Sequence, residues 1–316
     1  MKKNKKKSIS LFSSLSHSRN EKRGGVKVSA FPILVAILVV AIWGETFVSS
    51  KVLLGAGLMP ADIFFFRFVM AYLGMCLFSH KRMWAKNWRH ELMLMALGVL
   101  GGSLYFLSEN MALMYSTASN VAILVGSTPL MTALLLSIFY KEERMHGKQI
   151  IGSVIAFVGM ALVVLNGQLV LHLNPRGDML ALGAALTWGF YSLIIKRLSP
   201  KYEASFITRK VFAYGIISIV FYFIFVQPLQ TDFTVLAEPK VWINLVYLGF
   251  VASMLCYFSW NWVLSKLGTV QATNIIYLQS FFTMIVSHIV LGERITIMAI
   301  GGSIVLILGM LLAVRK

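Results

Sequence analysis

The stretch KEERMHGKQIIGSVIAFVGMALVV (141–164) recurs near the C-terminus as LGERITIMAIGGSIVLILGMLLAV (291–314), and the two align without a gap. Identical residues stand at nine positions: Glu143/Glu293, Arg144/Arg294, Ile150/Ile300, Gly152/Gly302, Ser153/Ser303, Gly159/Gly309, Met160/Met310, Leu162/Leu312 and Val164/Val314. Apolar segments often match by chance, but a shared Glu-Arg ahead of a shared Gly-Ser indicates an internal duplication. The glycines lie seven residues apart, on one face of a helix, where small residues permit close packing of helices.

The start of the repeated unit is also duplicated. AIWGETFVSSKVL (41–53) aligns with LTWGFYSLIIKRL (186–198), and the shared residues include Trp43/Trp188, Gly44/Gly189 and Lys51/Lys196. The duplication therefore covers most of the chain, and its two halves should fold alike.

Composition indicates that the surroundings of this chain are lipid. Hydrophobic residues make up 58% of the sequence and charged residues only 13%, against about 25% in ordinary soluble domains. Because a membrane-crossing helix needs about 20 mostly apolar residues, ten segments qualify as spans. They are residues 31–54, 60–79, 91–114, 118–140, 147–166, 177–198, 203–226, 241–264, 269–291 and 296–314. We predict an all-α integral membrane protein without a soluble domain.

The number of spans in each half decides the topology. Five is an odd number, so the second five-helix repeat (177–314) enters the membrane from the side opposite to the first (31–166), which makes the repeats inverted. With the N-terminus inside, the inner loops carry thirteen Lys and Arg and the outer loops three. Residues 1–30 add nine Lys and Arg and one Glu, which predicts a disordered basic tail. Both termini should therefore lie in the cytoplasm and the chain in the inner cell membrane.

Carboxylates inside the spans are the first candidates for function. Glu45 and Glu109 lie within the first and third spans, and charges at such depth usually face protein or water. Depth permits two ion pairs, Glu45 with Arg67 and Glu109 with Lys51. Either carboxylate could instead bind substrate or couple a proton, and we expect Glu45→Gln to reduce proton-dependent uptake. Glu45 aligns with Phe190 in the second repeat, so its carboxylate has no counterpart there.

Pro129 lies near the middle of the fourth span, where proline leaves one backbone carbonyl without its helical partner. That carbonyl could bind a polar ligand, or Ser127 or Thr128 could satisfy it within a kink that serves packing alone. Aromatic and amide side chains near the midplane are the remaining candidates. The substrate-binding or coupling set is Glu45, Glu109, Trp43, Tyr105, Thr128, Pro129, Trp188, Tyr191, Tyr257, Trp260, Asn274 and Gln279.

These motifs resemble those of the EamA-type, ten-helix members of the drug/metabolite transporter superfamily. The resemblance covers residues 31–314 and rests on the two Trp-Gly pairs, on Ser127-Thr128-Pro129 followed by Glu143, and on Leu291-Gly292-Glu293-Arg294. It implies a cavity lined by helices 1, 3, 4, 6, 8 and 9, and export or exchange of small metabolites, often amino acids. The sequence departs from the pattern at Glu142, where glycine is expected, and at Gln279, which replaces Pro129 and predicts an unkinked ninth helix.

The sequence thus predicts a secondary transporter of a small polar or amphipathic metabolite that works by alternating access. Two alternatives remain, an integral-membrane enzyme acting on lipid-linked substrates and a channel. Nucleotide-binding, hydrolase and metalloprotease motifs are missing from the sequence, so no cofactor, metal or catalytic residue is predicted. The expected partners are a small molecule and the bilayer rather than nucleic acid. The glycine faces could join the fifth helix to the tenth or form a homodimer.

Overall fold

A computed structural model describes residues 30–79, 83–116, 118–140, 146–165, 174–291 and 294–314. The predicted tail and Glu142, Glu143, Gly292 and Glu293 lie outside these ranges. The first repeat comprises α1 (Ala30–Gly55), α2 (Pro60–Phe78), α3 (Trp88–Tyr115), α4a (Ala118–Val125) with α4b (Thr128–Phe139), and α5 (Gly147–Leu165). The second comprises α6 (Pro175–Leu198), α7 (Ala204–Phe225), α8 (Pro239–Leu267), α9a (Thr269–Ile275) with α9b (Leu278–Leu291), and α10 (Ile297–Val314).

Each α-helix of the described ranges falls on one of the ten segments predicted from hydropathy, which confirms the all-α membrane fold. Within the described ranges, eight helices are long and apolar enough to cross a bilayer unaided. The fourth and ninth segments are each divided in two, at residues 126–127 and 276–277. A short 3₁₀ helix (Val235–Ala237) precedes α8.

The duplicated glycines join the two halves directly, since α5 packs along α10. Gly152 lies against Gly309 and Gly159 against Gly302, so the two helices run antiparallel, as an inverted repeat requires. A Cβ at Gly152 would lie 2.8 Å from the Gly309 carbonyl oxygen, and a Cβ at Gly302 would lie 2.9 Å from that of Gly159. The glycine faces are therefore occupied within one chain, and they do not support the predicted homodimer.

Replacing Gly159 by alanine should destabilise this crossing. The added Cβ would lie 2.6 Å from the Leu306 Cα, and backbone atoms cannot turn away as a side chain can. We expect the free energy of unfolding to fall by about 1–3 kcal/mol, as overpacking usually does. Thermal unfolding in detergent measures the effect. Gly301→Ala on α10, where nothing lies within 4 Å of the added Cβ, is the matched control. Equal melting temperatures for the two variants would refute the close crossing.

The Trp-Gly pairs also have equivalent places in the two repeats. Gly44 on α1 lets α9b approach, and the Gly44 carbonyl accepts a 2.8 Å hydrogen bond from the Thr283 hydroxyl. Gly189 on α6 lets α4b approach at Thr132 and Leu135. Each repeat thus packs against the second half of the other repeat's broken helix. The tryptophans that precede these glycines, Trp43 and Trp188, meet in the interior with their ring centroids 5.6 Å apart.

The third helix of each repeat contains a π-helical segment, Val99–Leu104 in α3 and Tyr247–Leu255 in α8. A π turn shifts the backbone hydrogen-bond register and is frequent at functional sites. The same local sequence, Leu-Gly, stands directly before the first segment (residues 97–98) and near the start of the second (residues 248–249). When these Leu-Gly pairs are aligned, Gly101 corresponds to Ala252 in the other repeat, and Asn110 corresponds to Asn261.

Candidate functional site

A cavity of about 730 Å³ lies between the two repeats. One end reaches the surface beside the C-terminal end of α1 and the N-terminal ends of α8 and α10, where Lys51, Glu238, Lys240 and Ile295 form the mouth. The other end stops at aromatic side chains within the protein. The site is therefore accessible from one side of the membrane and closed toward the other.

Two buried charges lie in the wall of this cavity. The Arg67 guanidinium on α2 donates from Nε to the Ser253 hydroxyl (2.9 Å) and lies 4.2 Å from the Phe106 ring centroid. Glu109 on α3 accepts a hydrogen bond from the Tyr105 hydroxyl. Arg67 and Glu109 attract each other electrostatically, but within the described ranges neither forms a direct ion pair. A cation and a carboxylate thus face the same space without neutralising each other by contact.

The closed end of the cavity is an aromatic layer made of Trp43, Trp188 and Tyr257. The centroid of the Trp188 ring lies 5.6 Å from that of Trp43 and 5.7 Å from that of Tyr257. Each ring comes from a different helix, α1, α6 or α8, so the layer joins both repeats. Aromatic pairs at such distances contribute about 0.5–1.5 kcal/mol beyond the area they bury. The layer is thus a compact barrier that must separate before solute can pass.

The two divided helices bring polar groups to the cavity. In the fourth segment, Pro129 cannot donate to the Val125 carbonyl, and the Thr128 hydroxyl donates to it instead at 2.6 Å. The satisfied carbonyl supports the packing alternative for Pro129, which does not itself line the cavity, whereas Thr128 does. The kink therefore positions a threonine rather than offering a free carbonyl.

The ninth segment breaks at the corresponding place although it has no proline, so the prediction of an unkinked helix is wrong. Ile276 N–H donates to the Thr273 carbonyl (3.0 Å), and Tyr277 N–H to that of Asn274 (3.4 Å), which is a 3₁₀ pattern. After the break, the Gln279 amide donates to the Trp43 carbonyl on α1 at 3.4 Å. Contacts with α1 therefore stabilise the bend of the ninth segment, whereas Pro129 stabilises that of the fourth.

Seven of the predicted residues are brought together around the cavity: Trp43, Tyr105, Glu109, Thr128, Trp188, Tyr257 and Gln279. Five lie outside its lining, namely Glu45, Pro129, Tyr191, Trp260 and Asn274. Tyr191 stacks behind Trp188 and donates to the Asn261 amide oxygen at 2.7 Å. Trp260 packs behind Trp43, and the Asn274 amide oxygen accepts from the Ser153 hydroxyl at 3.4 Å.

Glu45 points away from the cavity. Its carboxylate accepts a 3.3 Å hydrogen bond from the Tyr247 hydroxyl, and within the described ranges it forms no ion pair with Arg67. Lys51 and Glu109 both line the cavity, also without a direct ion pair. Neither of the pairs that depth permits is formed in this conformation, and Glu109 is the carboxylate that substrate can reach.

Sequence reasoning did not place Arg67 among the site residues and treated it only as a partner for Glu45. Its depth in the second span was visible, but the face of α2 on which it lies was not. Phe106 and Thr283 also line the cavity and were not predicted. In the part of the chain that the structure describes, no three His, Cys, Asp or Glu side chains gather as metal ligands would.

Comparison with known proteins shows the family. The EamA-like transporter family matches this chain twice, over residues 30–165 and 175–315. The chain belongs to the EamA-like transporter family. It is therefore a multi-pass membrane transporter of the drug/metabolite transporter superfamily rather than an enzyme, and the enzyme alternative is wrong.

Three relatives from different organisms match most of this EamA-like chain. An uncharacterized transporter of Archaeoglobus fulgidus is 27% identical over 292 residues, covering 90% of this chain and 97% of that protein. A probable amino-acid metabolite efflux pump of Escherichia coli is 25% identical, covering 88% and 92%. A probable terminal-alkyne amino-acid exporter of Streptantibioticus cattleyicolor is 25% identical, covering 89% and 92%.

A solved crystal structure has the same fold. It superposes with a TM-score of 0.71 at 15% sequence identity, covering 91% of this chain and 98% of that one. At this identity the likeness concerns the architecture alone, and it agrees with the two-repeat EamA-like fold described above.

Proposed function

We propose that this protein is a secondary transporter that exports amino acids, or close relatives that keep both the amino and the carboxylate group. The observation that carries the proposal is the pair of buried opposite charges, Arg67 and Glu109, on the wall of one cavity. Arg67 suits a carboxylate, since guanidinium offers several donors in one plane. Glu109 suits an ammonium group, and the aromatic layer offers an apolar surface to the rest of the solute.

The dimensions of the cavity agree with such a substrate. Pockets for small molecules usually have volumes of about 300–1,000 Å³ and combine apolar walls with a few polar groups. This cavity, at about 730 Å³, is of that kind, with Phe47, Val52 and Met160 among its apolar residues and Thr46, Thr128 and Gln279 among its polar ones.

The arrangement of the repeats and the aromatic layer supports an alternating-access mechanism. Inverted repeats place the substrate site between the two halves, and each half can rock against the other. The mouth is open on one side only, and the Trp43, Trp188 and Tyr257 rings close the other side. By the positive-inside rule, the open mouth faces the exterior, and both termini lie on the cytoplasmic side of the inner membrane. The structure then represents an outward-open state.

Export rather than uptake is supported by the relatives, two of which carry names of amino-acid efflux or export proteins. We also propose that a proton moves in the opposite direction, bound to Glu109. A carboxyl group that faces cavity water in one state and closed protein in the other changes its preference for a proton between them.

Counterflow in proteoliposomes tests the proposal. Vesicles loaded with one unlabelled amino acid should concentrate the same labelled amino acid transiently, because a carrier exchanges solutes through one alternating site. All twenty protein amino acids are screened, with sugars and nucleosides as other solute classes. Saturable counterflow of amino acids supports the proposal. Flux without saturation or counterflow indicates the channel alternative, and counterflow of sugars or nucleosides alone overturns the substrate class.

A further inference from the structure

The π segments of α3 and α8 contain two carbonyls at equivalent places in the repeats, those of Gly101 and Ala252. Each accepts a hydrogen bond from an aromatic side chain at the closed end of the cavity. The Trp43 indole Nε1 donates to Ala252 at 3.0 Å, and the Tyr257 hydroxyl donates to Gly101 at 2.6 Å. The acceptors follow the repeat symmetry, but the donors do not.

Trp188 is the repeat counterpart of Trp43, so symmetry would direct its indole N–H to the Gly101 carbonyl. Tyr257 already occupies that carbonyl. In the first repeat the residue opposite Tyr257 is Phe106, which has no hydroxyl, and the Ala252 carbonyl is therefore left to Trp43. A single difference between the repeats, tyrosine against phenylalanine, thus deprives Trp188 of its expected acceptor.

The Trp188 indole N–H has no hydrogen-bond partner within the described residues, although the side chain is only 5% exposed. Buried donors are rarely left unpaired because an unpaired donor loses its water without compensation. Trp188 also lines the cavity, and its indole nitrogen is covered in this conformation, so an acceptor bound in the cavity pairs with it once the aromatic layer separates. Trp260 has a buried indole N–H without a partner too, but it lies outside the cavity lining.

We propose that the Trp188 indole N–H donates a hydrogen bond to the carboxylate of the transported amino acid, and this rests on the proposed function above. Indole nitrogen is a donor only, so its ligand must be an acceptor. Arg67 supplies the positive charge for the same carboxylate from the wall of the same cavity, and Trp188 adjoins Tyr257, with ring centroids 5.7 Å apart. The substrate carboxylate thus supplies the acceptor that Trp188 lacks because Tyr257 occupies the Gly101 carbonyl.

Trp188→Phe is the direct test, because phenylalanine keeps an aromatic ring and removes only the fused ring and the N–H. The probe is the protein amino acid that gives the largest wild-type counterflow, together with the amine formed by removing its carboxylate. We expect the half-saturation concentration for the amino acid to rise about 10- to 100-fold, the range for losing a hydrogen bond to a charged group. Inhibition by the amine should change less than threefold.

Trp260→Phe is the matched control, since it removes a buried, unpartnered indole N–H that does not line the cavity. We expect it to leave both half-saturation and inhibition within about twofold of the wild type. Equal half-saturation in the two variants would overturn the proposal, as would an equal loss for amino acid and amine. If the wild type transports no amino acid at all, the proposed function itself fails, which is a different result.

A second variant tests the same inference without touching Trp188. Tyr257→Phe vacates the Gly101 carbonyl, and Trp188 can then donate to it as Trp43 donates to Ala252. We expect this variant to weaken amino-acid binding, and the double variant with Trp188→Phe to be no weaker than Trp188→Phe alone. Fully additive losses would mean that the two residues act independently and would contradict the proposal.

Discussion

Replacing Arg67 by glutamine is expected to reduce amino-acid transport at least about 30-fold. Arg67 is 2% exposed, lines the cavity and attracts the Glu109 carboxylate electrostatically. Glutamine offers no positive charge to the substrate, and it leaves the negative charge of Glu109 without the attraction of Arg67. Removing one member of a buried charge pair, here the one that Arg67 is proposed to form with the substrate carboxylate, typically costs about 2–5 kcal/mol, so the ratio of maximal rate to half-saturation should fall at least about 30-fold. Counterflow in proteoliposomes measures this ratio.

Two further variants separate loss of binding from loss of folding. Arg67→Lys keeps the charge but not the planar fork of donors, and it should retain partial transport with weaker binding. Arg209→Gln on α7 removes another buried arginine, one that donates to the Ser79 carbonyl and does not line the cavity. It should lower the yield of folded protein without changing half-saturation. Full transport by Arg67→Gln would rule out the carboxylate site proposed at Arg67.

Repeats and hydropathy predicted the architecture because the physical constraints on a membrane chain are few. The bilayer fixes span length, and duplicated glycines identify a helix crossing in which no Cβ fits. Gly152 and Gly159 of α5 and their counterparts on α10 lie at that crossing, within one chain. The sequence left open whether the partner was α10 or a second copy, since a glycine face reports close approach but not the identity of the neighbour.

The candidate site was predicted less completely because depth in the membrane does not determine the direction of a side chain. Glu45 and Arg67 lie at similar depths, yet Arg67 faces the cavity and Glu45 faces Tyr247. Residues that repeat, such as Trp43 and Trp188, were predicted well, because the duplication places both at the interface of the halves. The break in the ninth segment was missed, since hydrogen bonds to α1 replace the proline that signals it in the fourth.

The π segments were missed for a related reason. Their local sequences, VLGGSL and YLGFVASML, contain ordinary helix-compatible residues and no proline. The register shift is stabilised by side chains far away in the sequence, Tyr257 for the Gly101 carbonyl and Trp43 for that of Ala252. Aligning Leu97-Gly98 with Leu248-Gly249 would have shown that these segments are equivalent, and with them the asymmetry between Phe106 and Tyr257.

Replacing Glu109 by glutamine is expected to uncouple transport from protons. The carboxylate lies on the cavity wall, where the ammonium group of a substrate can approach it. It accepts a hydrogen bond from the Tyr105 hydroxyl and is attracted by Arg67. Glutamine has nearly the same shape but takes up no proton. Amino-acid flux driven by a pH gradient should fall at least about tenfold, while exchange without a gradient should persist with half-saturation raised, because one substrate contact loses its charge.

Glu45→Gln is the matched control for Glu109→Gln, since it makes the same change at the other carboxylate that the sequence places inside a span. Its carboxylate is held by Tyr247 and lies outside the cavity lining, so gradient-driven flux should stay within about twofold of the wild type. Vesicles with imposed pH gradients of either sign measure both variants side by side. Loss of coupling in Glu45→Gln with full coupling in Glu109→Gln would return the proton site to Glu45. In that case the carboxylate that couples transport would lie beside the cavity, and the proton and substrate would follow separate paths through the protein.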